Sequence, residues 1–344
     1  MSDALARLVT MHAYCRPADS RSERLFIHRY IASLGAVEDD YGNWSLVLGD
    51  NPRHIWSCHT DTVHRLGGSQ RVKLSADGIL SATGGSCLGA DDTAGVWLLC
   101  ELVRRGVPGR YVWHYGEEMG CLGSRSLVDS LPDWIAETDM VIAVDRKGTS
   151  DVITHQMGYR TASSDFATAL ALQLNAQGLQ YAPSSHGLYT DSEAYADWVS
   201  ECTNLSIGYQ GNHTEAETLD TRHTMRLLDA LASLDIASLP VVRIADPVSS
   251  VSILSPMRDD LTSPVVVTGD FSRAAGVGWN NRDFHWYREC GATVSDYQQV
   301  CFDCGADNPA DDLTTRTRRE DYLDGVYAEV QMELEKQVQR AKRR

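Results

Sequence analysis

His59 and Asp61 stand two residues apart in "WSCHTDTV", at the end of an apolar run. Further polar clusters follow at wide intervals. They are Asp91-Asp92 in "LGADDTAG", Glu117-Glu118 in "GEEMG", Asp145 in "VDRKG" and His213 in "GNHTEAE". Imidazole and carboxylate groups form a zinc-type donor set, and a catalytic zinc site leaves one position open for water or substrate. Two neighbouring cations need a carboxylate shared between them. A further carboxylate beside the activated water takes its proton. The doublet Glu117-Glu118 suits a division of labour, with one carboxylate on metal and its neighbour as base.

Strands must carry these groups. "HIWSC", "RYVWHYG", "DMVIAVD" and "CTNLSIGY" read as short buried strands, and a polar cluster follows each. "NWSLVLG" and "DVITHQ" read as two more strands. "DSRSERLFIHRYIASLG" predicts a helix capped by Asp19 and closed by Gly35. "GADDTAGVWLLCELVRRG" predicts a helix whose acidic start suits the unpaired N–H groups there. "DFATALALQLNAQG" and "TLDTRHTMRLLDALASLDIASL" read as two further helices. Strands alternating with helices predict an α/β fold, a three-layer αβα arrangement around a central, largely parallel mixed sheet. Ligand sites in such sheets gather outside the carboxyl ends of the strands.

The alternation breaks near Pro240. We place a domain over residues 1–240 and a small C-terminal extension over 241–344, closed by a helix in "EDYLDGVYAEVQMELEKQVQRAKRR". The chain has 344 residues, of which 43% are hydrophobic, so it can build a substantial core. Its formal charge of −16 argues against a nucleic-acid or membrane-surface partner, since both want a basic face. The first residues lack the pattern of a signal peptide, and no apolar run is long enough to span a bilayer. With nine scattered cysteines read as reduced thiols, the expectation is a cytoplasmic protein.

Taken in order, "HTDTV", "GADDTAG", "GEEMG" and "NHTEAETLD" resemble motifs of the co-catalytic two-zinc exopeptidase clan. That clan holds aminopeptidases, carboxypeptidases and related deacylases. The resemblance is greatest to its M28-like aminopeptidases and covers roughly residues 20 to 237. It implies that His59, Asp91, Glu118, Asp145 and His213 ligate two Zn2+ ions, with Asp91 bridging. One ion would add His59 and Asp145, the other Glu118 and His213. It also implies that Asp61 orients His59, that Glu117 is the general base, and that Asp92 fixes the local backbone. Cobalt or manganese suits the same donors. The intervals before Asp91 and before His213 leave no room for the inserted domains of larger clan members, which points to a minimal aminopeptidase core.

The expected substrate is a short peptide or an aminoacyl conjugate, and a homo-oligomer is compatible with the extension. Two other readings stand beside this one: a deacylase or amidohydrolase of a small N-acyl metabolite, and a metal-free binding module whose extension recruits a partner. Asp191 in "GLYTDSEAY" is a candidate substrate-lining residue or a helix cap. His114 and His186 read as structural, and Cys58 and Cys121 as small core fillers. His285, Cys290, Cys301 and Cys304 offer one imidazole and three thiolates for a structural Zn2+, with "CFDCG" resembling a zinc knuckle. The alternative is a cluster of reduced thiols.

Overall fold

The computed structural model describes residues 2–245 and the strands Phe284–Trp286 and Thr293–Ser295. The main sheet has eight strands. In chain order they are β1 (Val37–Glu38), β2 (Trp44–Leu48), β3 (His54–His59), β4 (Gly109–His114), β5 (Met140–Arg146), β6 (Asp151–Ile153), β7 (Ala182–Ser184) and β8 (Glu201–Ser206). Their order across the sheet is β7-β6-β8-β5-β3-β4-β2-β1. The central strands β8, β5, β3 and β4 run parallel. Antiparallel pairs flank them on both sides. The principal helices are α1 (Asp3–Met11), α2 (Arg21–Tyr30), α3 (Ala90–Arg104), α4 (Leu122–Ser130), α5 (Ser164–Ala176) and α6 (Thr221–Ala232). This is the expected three-layer α/β architecture.

Side chains alternate across a strand, so each central strand must be apolar on both faces when helices cover both. All six residues of β3 are buried. Ile55, Val112, Val141 and Cys202 form one face with Leu127 and Val128 of α4, together with Ile135, Tyr195 and Val199. Helix α3 packs on β3 and β5 and contacts α1 and α6. Arg7 of α1 clamps Glu101 of α3 through two hydrogen bonds of 2.7 and 2.8 Å.

Several local details depart from the sequence reading. The cap of α2 is Ser20, whose Oγ accepts from Glu23 N at 3.1 Å. Asp19 is left-handed and takes the Tyr115 hydroxyl instead. Asp91 and Asp92 have non-helical backbone angles, so the acidic pair does not sit in a regular first turn of α3. "TLD" before α6 is a strand, Thr218–Asp220. It joins Tyr209–Gln210, Ile79–Ala82 and Val72–Leu74 in a small four-stranded sheet. "DVITHQ" divides into β6 and a separate strand, His155–Gln156. Helix α1 was not anticipated. It is short, and its Ser2 cap accepts from Leu5 N at 3.3 Å.

The chain divides into two units, Met1–Val251 and Ser252–Arg344. In the second, Phe284–Trp286 pairs antiparallel with Thr293–Ser295, and His285 is the middle residue of the first strand. Cys290, Cys301, Cys304 and the expected terminal helix lie outside the described residues. Among the described residues, no helix is long and apolar enough to cross a membrane. The cysteines among them are unpaired and buried.

Gly95 lets α3 sit directly against β5. A Cβ there would stand 2.3 Å from both Val144 O and Asp92 Oδ2. Gly95→Ala is therefore expected to destabilise the fold by about 1–3 kcal/mol, as overpacking does. Urea unfolding checks this, and an unchanged midpoint would contradict the close approach.

Candidate active site

Parallel strands deliver the first groups. His59 ends β3 and Asp145 lies near the end of β5, both at the carboxyl edge of the sheet. Asp91 comes from the irregular start of α3, and His213 from the loop between two strands of the small sheet. Glu117 and Glu118 sit in the turn between β4 and α4. The fold brings all of these together.

Asp91 is the centre. Its Oδ1 lies 3.1 Å from His59 Nε2, and its Oδ2 lies 3.2 Å from His213 Nε2. His59 Nε2 is also 3.6 Å from Asp145 Oδ1, and His213 Nε2 is 2.8 Å from Glu118 Oε1. His59, Asp91 and Asp145 thus offer donor atoms within 4.8 Å of one another, and so do Asp91, Glu118 and His213. Asp91 belongs to both sets. Glu117 and Glu118 form a third such set with His59. His59 is 1% exposed and His213 is 46% exposed, so one half of the site is enclosed and the other faces solvent.

The donor set fits two divalent cations. Oxygen and imidazole nitrogen are the right donors for zinc. The buried Glu118 Oε1 makes no hydrogen bond, although it lies 2.8 Å from His213 Nε2. An acceptor left unpaired in this way suits a metal ion.

Asp61 ties the site together. It stands 3.3 Å from His59 Nδ1, the nitrogen away from Asp91. Its two oxygens also accept from Glu117 N and Glu118 N, both at 3.2 Å. Asp92 follows Asp91 across a cis peptide and accepts from His59 N at 3.3 Å and Gly95 N at 2.9 Å.

Several supporting residues escaped the sequence reading. Glu217 is buried and accepts from Gly89 N at 2.7 Å and Asp91 N at 3.1 Å. Asn212 donates to Asp91 Oδ2 at 3.0 Å. Thr190 donates to Asp145 Oδ2 at 2.7 Å, and Asn204 brackets the Asp145 backbone with two bonds of 2.9 Å. Glu217 and Asn212 both belong to the quoted "GNHTEAETLD" stretch, which was the available signal.

Asp191 is buried at the start of a short helix, takes the Ser124 hydroxyl at 2.6 Å, and is not among the residues lining the cleft. Its neighbour Thr190 does line it. His114 is buried between Asn43 Oδ1 and the Tyr195 hydroxyl, each at 3.2 Å. His186 is exposed. Cys58 is buried, while Cys121 places its thiol 3.8 Å from Glu117 Oε1.

Crowded acids set the electrostatics. Burial, opposed by His59 and reinforced by Asp145, lifts Glu117 to about 10. Burial also raises Glu118 and Asp145. Burial disfavours charge on His59, but Asp145, Asp61 and Asp91 outweigh it and hold that imidazole well above its usual value. The close approach of Asp91 and Glu118 to its Nε2 lifts His213 to about 10. Without cations, protons occupy this cluster.

No protein-family model matches the chain. A search of curated proteins found no match. Solved structures do match. Aminopeptidase PepT from Bacillus cereus ATCC 10987 aligns with a TM-score of 0.56 at 15% identity, over 67% of this chain and 96% of that one. A tripeptidase from Staphylococcus aureus subsp. aureus Mu50 aligns with a TM-score of 0.54 at 13% identity, over 67% and 96%. The Pyrococcus horikoshii TET1 peptidase, which can assemble into a tetrahedron or a large octahedral shell, aligns with a TM-score of 0.51 at 16% identity, over 67% and 99%. This chain shares their fold.

Two outcomes follow from the geometry. Zinc must displace protons from the raised histidines, so its binding at pH 7 releases protons and weakens as pH falls. Calorimetry in buffers of different ionisation enthalpy reads the release, and heats independent of buffer would contradict it. Glu217→Ala should weaken zinc binding roughly 10–100-fold, as loss of an outer support of a metal ligand does. An unchanged affinity would remove Glu217 from that role.

Proposed function

We propose that the chain is a two-zinc aminopeptidase of the co-catalytic metallopeptidase clan, of the minimal-core kind, acting on short peptides or aminoacyl conjugates. The observation that carries this reading is the divided carboxylate of Asp91, with a histidine and a second carboxylate on each side and Glu117 beside them. The shared fold with PepT and the tripeptidase supports it.

His59 and Asp145 would hold one ion, Glu118 and His213 the other, and Asp91 both. When bound, the ions would polarise the scissile carbonyl and lower the pKa of water at the site. Nearby positive charge favours the ionised form of a carboxylate, which makes Glu117 a base. Glu117 takes a proton from the attacking water and passes it to the leaving amine. Asp61 keeps the ring of His59 oriented and fixes the backbone that carries Glu117. The enclosed side at His59 keeps bulk water away, and the peptide enters from the side of His213.

Elemental analysis of the zinc-equilibrated full chain, beside peptide hydrolysis, tests the reading. Two ions per chain are expected, with the pair lost in Asp91→Ala. Glu117→Ala should keep both ions and lose about 10²–10⁴-fold in turnover, the scale of a general base. A peptide with a free amino terminus should be cleaved in preference to its acetylated form. No zinc dependent on Asp91, or full activity in Glu117→Ala, would overturn the assignment.

A further inference from the structure

The candidate site opens into a cleft of about 600 Å³, including its open mouth. Beside Asp91, Glu117, Asp145 and His213, two cations line it, Arg146 and Lys147. They differ in what they face. Arg146 is largely buried, and its Nε and Nη2 reach Asp151 Oδ2 at 3.3 and 3.2 Å, so its charge is matched. Lys147 is exposed and has no ion-pair partner among the described residues. Its backbone is pinned. Lys147 O accepts from Ser206 Oγ at 2.7 Å, and the next residue, Gly148, donates its N–H to Tyr209 O at 2.8 Å. The stem of Lys147 therefore starts from a fixed point on the cleft wall.

Charge balance sharpens this. The acids of the cleft lining, Asp91, Glu117 and Asp145, all belong to the candidate metal centre. Away from that centre, the lining cation that no carboxylate of the described residues pairs is Lys147, on a chain whose net charge is −16. Another lining residue, Tyr189, carries the guanidinium of Arg125 over its ring at 4.7 Å, which adds a positive group behind the wall. Lys147 lies two residues beyond Asp145, just past the end of β5 at Arg146. That offset, with a flexible four-carbon stem, matches one or two residues of an extended peptide.

We propose that Lys147 forms a subsite for a carboxylate of the substrate, one or two residues from the scissile bond. The inference rests on the hydrolase reading and narrows its substrate class to short peptides that carry such a carboxylate. The carboxylate is the free terminus of a short peptide or an acidic side chain. An ammonium meeting a carboxylate in a cleft makes a charge-assisted hydrogen bond, which salt weakens where solvent reaches it.

The test reads turnover and binding together. The zinc-loaded full chain is assayed on trialanine, trialanine amide and glutamyl-alanyl-alanine amide. Zinc-loaded Glu117→Gln is titrated with the same peptides by calorimetry. A carboxylate-bearing peptide should exceed trialanine amide by about tenfold in kcat/KM and in affinity, on the scale of a charge-assisted bond. The ratio should collapse to near one in Lys147→Met, survive in Lys147→Arg, and invert in Lys147→Glu. Trialanine preferred over its amide identifies the terminal carboxylate, and the glutamyl amide preferred over trialanine amide identifies the side chain. A wild type without preference, or Lys147→Met with an undiminished one, overturns the subsite while turnover leaves the hydrolase standing. A Lys147-dependent preference in binding without any turnover overturns the hydrolase alone. Neither binding nor turnover overturns both.

Discussion

The site hangs on one carboxylate that faces two ways. Asp91 turns one oxygen to His59 and the other to His213, and every other candidate ligand is arranged around that division. Such a group is costly to hold. It is buried, its neighbours are acidic, and chiefly the two histidines counter the penalty of burial and keep it ionised. The surrounding structure answers with backbone bonds. Glu217 grips the peptide N–H groups of Gly89 and Asp91, and Asp92 grips those of His59 and Gly95. Carboxylates thus hold the loop that presents a carboxylate, which raises the local demand for positive charge.

That demand connects electrostatics to chemistry. Burial pushes Glu117 up to about 10, which makes that carboxyl a poor base near neutral pH in the metal-free cluster. Cations change the sign of the environment and release the proton. Asp61 adds a mechanical link, because the same carboxylate addresses the ring of His59 and the backbone of Glu117 and Glu118. On the proposed reading, orientation of a ligand and placement of the base are one event.

Much of this was legible in the sequence because its period is strong. Buried parallel strands read as apolar runs, and β3, β4, β5 and β8 were placed by that signal with the polar clusters at their ends. The doublet Glu117-Glu118 was legible because two acids in a row at a strand end have few structural reasons to occur. What stayed hidden was long-range. Nothing local in "ADD" reveals a non-helical backbone, since Glu217, far along the chain, holds it. Nothing in "TLD" separates strand from helix until its partner Ile79–Ala82 is known. Asp19 and Ser20 both make good caps, and the choice fell to Ser20 because Tyr115, distant in sequence, engages Asp19. Asp191 reads as a cleft residue or a helix cap, and it lies at the start of a short helix where Ser124 draws it inward.

The small four-stranded sheet has a mechanical meaning. Its strands come from the segment just before Asp91 and from the two sides of the His213 loop, and backbone pairing zips them together. The exposed histidine is thereby tethered to the chain that leads into the bridging aspartate. Swinging His213 away from Asp91 on its own would mean breaking that ladder. On the proposed reading, the half of the centre nearest solvent would gain a latch against metal escape, and the residence time of its ion would depend on strand pairing as much as on the donor atoms.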